Sequence, residues 1–195
     1  KNKRRNSMNK TKFLCMTFFI TCFTIFQLSA GGNMLISANP KMSYGNQSYG
    51  KETIDEIQAN GFIKLDGTKI TGYLQVNGHL KAVDAQIEEM QINGRVTLDN
   101  CVINQKSNVS GALEATNSKF VEELSISSER VIIDSCSLRS LRISQVGGYH
   151  GVQVVEIRGT TKIHGSIIFE ESNGEVIVDP DSEIIGSVIG GKIRK

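Results

Sequence analysis

Few residues in this chain of 195 have the type and spacing to do chemistry together. Asp99 and Asp134 come nearest. Each stands three residues after a valine, Val96 and Val131, so a repeating architecture would set both in one file. Two rungs of stacked strands separate them by about 9.6 Å. Inverting glycosidases hold their carboxyls at roughly 6.5–9.5 Å, so distance alone admits a polysaccharide-acting pair. The same file elsewhere holds Val83 and Thr116, and no Lys or Arg cluster stands beside it to receive an acidic sugar. The pair therefore reads as solvated acids. Cys101 and Cys136 share a file in the same way, with Ser118 between them. Two rungs exceed the ~7 Å Cα separation that a disulfide tolerates, so both are expected as free thiols. His79, His150 and His164 form no motif. His150 sits beside Tyr149 in the Gly-rich stretch QVGGYHG, residues 145–151, and reads as an exposed loop residue. There is no CxxC, phosphate loop or nucleophile elbow. The sequence indicates no catalytic residue, no metal and no cofactor, and the chain is expected not to be an enzyme.

What must position these residues is a repeat. Leu80, Val96, Leu113 and Val131 follow at steps of 16, 17 and 18 residues. Two residues on come Ala82, Leu98, Ala115 and Ile133. Four on come Asp84, Asn100, Asn117 and Ser135, all small and polar. Five on come Ala85, Cys101, Ser118 and Cys136, all small. Seven on come Ile87, Ile103, Phe120 and Leu138. The pattern extends upstream through Ile63, Leu65, Gly67 and Ile70. It extends downstream through Val155, Ile157, Gly159 and Ile163, and Val176 to Ile184 supply a last copy.

Within a unit the apolar residues alternate, which is the period of a strand with one buried face. Gly or a small polar residue marks each corner. A unit this short cannot bury its face alone and must stack on its neighbours. The expected fold is all-β, a right-handed parallel β-helix of six or seven rungs over residues 62–195. A left-handed hexapeptide helix needs a strict six-residue step that this chain does not keep. The period breaks twice, at QVGGYHG and at EESNGE, residues 170–175. Both should project as loops, with Tyr149, His150 and Asn173 as binding candidates.

The N-terminal part reads differently. Residues 1–30 hold six of the 22 Lys+Arg and no acid, leaving 16 basic against 20 acidic residues beyond, a net −4. No clustered basic face follows, so nucleic acid is not an expected partner. A basic start, an uncharged run from Phe13 to Leu28 and Leu28-Ser29-Ala30 have the order of a secretory signal peptide. A retained membrane anchor over 13–28 is the alternative. Residues 31–51, with Ser-Tyr-Gly twice, read as a flexible linker. In residues 52–61, Thr53 and Glu56 have capping-box spacing, Ile54 and Ile57 share a helical face, and Gly61 could end it. A short helix capping the first rung is expected there.

Ile70-Thr-Gly72-Tyr-Leu74, Ile163-His-Gly165-Ser-Ile167, Ile184-Ile-Gly186-Ser-Val188 and Val109-Ser-Gly111-Ala-Leu113 share an apolar-x-Gly-x-apolar beat. With GSVIGGKI near the end, residues 63–192 resemble the bactofilins, bacterial polymer-forming cytoskeletal proteins. The resemblance implies a right-handed β-helix that assembles end to end without nucleotide. The units between Leu113 and Leu141 depart from the beat.

The function expected from these readings is an exported structural element of the bacterial envelope, periplasmic or on the cell surface. It would self-associate through an open rung at Val176, Val178, Ile184, Val188 and Ile193. Membrane contact would come only through an uncleaved N-terminal segment. A surface module binding an envelope glycan or protein through side loops is the second reading, and an enzyme the third.

Overall fold

The computed structural model describes residues 41–194, and no helix occurs among them. The expected signal peptide, and residues 31–40 of the expected linker, lie outside the described residues. From Lys41 onward the chain winds as an all-β parallel β-solenoid of about 9 turns. Every strand pairing is parallel, each strand bonding to the one a turn earlier and a turn later.

The register follows the repeat. Leu80 pairs with Val96, Val96 with Leu113, Leu113 with Val131, and Val131 with Val155. Ile63 begins this file next to Gln47, and Val176 and Ile193 end it. The neighbouring file alternates large and small: Leu65, Ala82, Leu98, Ala115, Ile133. A bulky side chain therefore fits above a small one, and close packing is reached without voids. Further files run through Ile70, Ile87, Ile103, Phe120 and Leu138, and through Leu74, Met90, Ser107, Leu124, Leu141 and Ile167. Almost all of these side chains are fully buried.

Two kinds of corner keep the winding regular. At the first, Gly67, Asp84, Asn100, Asn117, Ser135 and Gly159 all carry positive φ, between 48° and 69°. That left-handed conformation suits Gly, Asn and Asp, which is why this column is small and polar. Asn100 Nδ2 donates to Asp84 Oδ1 across one turn at 2.6 Å. At the second corner stand Gly61, Gly78, Gly94 and Gly111, with φ from 131° to 142°. A Cβ on Gly94 would lie 1.8 Å from the Gly78 carbonyl oxygen. Only glycine fits such a stack.

Three expectations need correction. Residues 52–61 form no helix: Thr53–Ile54 is a strand, and so is Ile57–Asp66. Ile54 pairs with Ile70 and Ile57 with Leu74. Three residues is helical spacing, but it is also the distance across a solenoid corner, and tertiary stacking decided between them. Gly61 belongs to the glycine corner rather than to a helix end. Residues 41–49 of the expected linker are a strand paired with Ile57–Leu65. The sequence hid this because the inward register positions of an end turn need not be apolar: Ser43 and Gln47 stand where Ala59 and Ile63 stand one turn later. With these turns added, six or seven rungs become about 9. The Gly beat also divides. Gly72, Gly165 and Gly186 follow the file of Ile70, Ile163 and Ile184, whereas Gly111 sits on the other corner, stacked on Gly94.

Candidate functional site

Asp99, Thr116 and Asp134 do stack in successive turns. Asp134 is half-buried, and its Oδ1 accepts a hydrogen bond from the Ser135 hydroxyl at 2.7 Å. Arg158 pairs with it in the next turn. Asp99 is exposed. One carboxylate is thus committed to a corner, and the other stands in open solvent. Nothing in this arrangement prepares an acid and a base.

Cys101 and Cys136 are free and buried. They belong to a ladder along the first corner. Cys101 N–H donates to Ser118 Oγ at 3.0 Å, Ser118 N–H to Cys136 Sγ at 3.3 Å, and Cys136 N–H to Thr161 Oγ1 at 3.1 Å. Each small side chain accepts from the turn before it and so satisfies a buried backbone donor. In return Ser118 Oγ donates to Thr116 O at 2.7 Å, and Cys136 Sγ to Asp134 O at 3.1 Å. Burial pushes the Cys136 thiol up to about 11 and raises Cys101 as well. Neither is a nucleophile at neutral pH, where the thiolate is needed.

The histidines are dispersed. His79 packs edge-on against Phe62, with ring centroids 5.1 Å apart. His164 Nε2 lies 3.4 Å from Ser137 Oγ, and His150 is exposed. No group of three metal-ligating side chains occurs among the described residues. Glu156, nearly buried, is clamped by Arg130 and Arg158. Burial alone would raise its carboxyl, but the hydrogen bonds from the two guanidiniums hold it below the usual range. The cluster locks neighbouring turns together.

The two insertions meet. Residues from both insertions line one small hollow of about 140 Å³, with Tyr149, His150, Gly151, Glu171 and Asn173 on its wall. Asn173 Nδ2 donates to Gly151 O at 2.9 Å, and Tyr149 Oη to Val152 O at 3.1 Å. Both donors are engaged within the loops. Beneath them Gln153, buried, donates to Ser128 O and Ser144 O at 3.0 and 2.8 Å. It closes the second corner where the glycine file has ended.

Of the residues expected at an open end, Val176 is fully buried, because Ile193 pairs over it. Val178, Ile184 and Val188 are partly buried against the core, and Ile193 is 51% exposed. Ile185 and Ile189 are exposed nearby. The last turn, residues 183–194, thus carries three of the six exposed large hydrophobic side chains among the described residues.

A further feature escaped the sequence reading. Outward positions beside the glycine corner hold Gln75, Gln91, Asn108 and Ser125 in one file. Asn77, Asn93, Ser110 and Ser127 form a second file two residues on. Together they line a groove of about 420 Å³, with Ile92, Val109 and Ile126 at its floor. The signal was present as pairs of polar residues two apart, but only stacking aligns those pairs. Comparison of the chain with family models, curated proteins and solved structures finds no match.

Proposed function

We propose that this chain is an exported, non-catalytic β-helix, right-handed, that self-assembles end to end as a structural element of the bacterial envelope. The observation that carries the reading is the last turn. Its strand 191–194 pairs with residues 174–177, and Ile185, Ile189 and Ile193 stand exposed in that turn. Unpaired strand edges pair with other chains when nothing covers them. Ile184, Val188 and Ile193 add an apolar surface that a second copy would bury. A solenoid extends by adding turns, so stacking a second copy continues the same hydrogen-bond ladder at the same spacing. The resemblance to the bactofilins supports the same reading. The periplasm or cell surface is its proposed location, with anchoring through residues 13–28 as the alternative.

Light scattering behind size exclusion, with negative-stain imaging of the same fractions, tests it over a wide concentration range. Rods that lengthen with concentration are expected. Ile189→Lys with Ile193→Lys should leave a folded monomer, since both side chains are about half exposed. A strict monomer at every concentration, or rods that persist in the double variant, would sink the reading. A second reading, side-on binding through the Tyr149–Asn173 loops, rests on the insertions meeting at one hollow. The reading as an enzyme through Asp99 and Asp134 has no such support.

A further inference from the structure

We propose that the groove beside the glycine corner binds a neutral, extended glycan lying along the solenoid axis. Four observations converge on that chemistry.

The first is composition. The groove is walled by amides and hydroxyls, and none of its lining residues is charged. An amide both donates and accepts, as a sugar hydroxyl does, so such a wall can meet hydroxyls in either sense. A nucleic acid or an acidic polysaccharide would need cations there.

The second is free capacity. Gln91 Oε1 takes a hydrogen bond from Tyr73, Asn77 donates to Asn60, and Ser127 donates to Gln145 O. The side chains of Gln75, Asn93, Asn108, Ser110 and Ser125 hold no hydrogen bond within the described residues. Their polar groups face the groove at partly or fully exposed positions. The strand backbone that carries these amides is fixed before any ligand arrives, which lowers part of the ordering cost of binding.

The third is period. The groove repeats once per turn, about 4.8 Å. A β-1,4-linked pyranose chain advances by nearly that distance per ring with alternate rings turned over, so every second ring meets its pair of side chains in the same orientation. An extended peptide rises about 3.3 Å per residue and falls out of step within two turns. The file from Asn77 to Ser144 spans four steps, about 19 Å, and the file from Gln75 to Ser125 spans three before Arg142 follows it, which is room for several rings.

The fourth is the backbone beneath. The stacked glycines from Gly61 to Gly111 leave room for each turn's backbone to lie directly on the next, so the two polar files beside them keep an even spacing. The inference does not depend on end-to-end assembly, because the groove lies on the side.

The test is calorimetric titration of the full chain with the hexaoses of β-1,4-linked glucose and of β-1,4-linked N-acetylglucosamine. A galacturonate hexamer serves as the acidic comparison. Light scattering of the same samples reads assembly separately. One of the neutral hexaoses should bind, more tightly than its trimer. Gln91→Leu with Asn108→Leu should weaken binding roughly tenfold to thirtyfold, as expected for two lost hydrogen-bonding sites. Both positions are exposed, so circular dichroism should be unchanged. Four results would each overturn the proposal: no binding of either neutral hexaose, affinity unchanged in the double variant, equal binding of galacturonate, or binding abolished by removing Gly147–Gly151 instead.

Discussion

Replacing Gly94 by alanine should be among the most damaging single changes available outside the core. The residue sits at φ 142°, a region that side-chain-bearing residues enter at a cost of about 1–3 kcal/mol. The added Cβ would also lie 1.8 Å from the Gly78 carbonyl oxygen, and ordinary contact begins at 3.4 Å. The obstacle is backbone, so no rotamer change relieves it. Moving the two turns apart by the missing 1.6 Å would break one or two ladder hydrogen bonds, each worth about 1 kcal/mol net. Together these give a loss of about 2–5 kcal/mol. Gly147→Ala is the control. It has no neighbour within 4 Å and no positive φ, and a surface change of this kind stays within about 0.5 kcal/mol. Urea unfolding followed by far-ultraviolet circular dichroism compares the two. Should Gly94→Ala cost less than about 1 kcal/mol, or no more than the control, the stacked-glycine account of this corner is refuted.

The other corner and the thiol ladder give three further predictions. Asn117, at φ 48°, makes no side-chain hydrogen bond among the described residues, so its role is conformational. Asn117→Val should lose about 1–2 kcal/mol, and Asn117→Gly should be neutral or slightly stabilising; equal unfolding midpoints for the two would contradict this. Cys136 has its folded pKa raised to about 11 from 9.0. Its contribution is therefore fully present below pH 9 and lost as pH rises from 9 toward 11, on the order of 2 kcal/mol. The stability difference between the wild-type chain and Cys136→Ala should shrink across that window, and a difference independent of pH would show that burial of the thiol is not the cause. Thiol reagents at pH 8 should modify Cys101 and Cys136 only after unfolding.

How much of this was legible in sequence depended on how locally each residue's constraint acts. The Leu80, Val96, Leu113 and Val131 file was readable, and its register is the observed one, because every interior turn must bury the same positions. The polar column at Asp84, Asn100 and Asn117 was readable because the left-handed corner admits few residue types. The separation of Cys101 from Cys136 followed from the same count. The first turn was not readable. Among the described residues Gln47 is the first of its file and is exposed, so burial placed no demand on its polarity. Ile54 and Ile57 were ambiguous because a helix face and a solenoid corner share their spacing, and only pairing to Ile70 and Leu74 settled the choice.

The sequence by itself determined the winding, since period-two apolar residues, repeated about every 17 positions, can be buried in few ways other than by stacking. Tertiary structure decided everything that depends on one turn lying over another. It assigned Gly111 to a different corner from Gly72, placed Val176 under Ile193, and brought Tyr149 to Asn173. It also aligned Gln75, Gln91 and Asn108, residues that solvent leaves free to vary and that only the 4.8 Å stacking of strands turns into one wall.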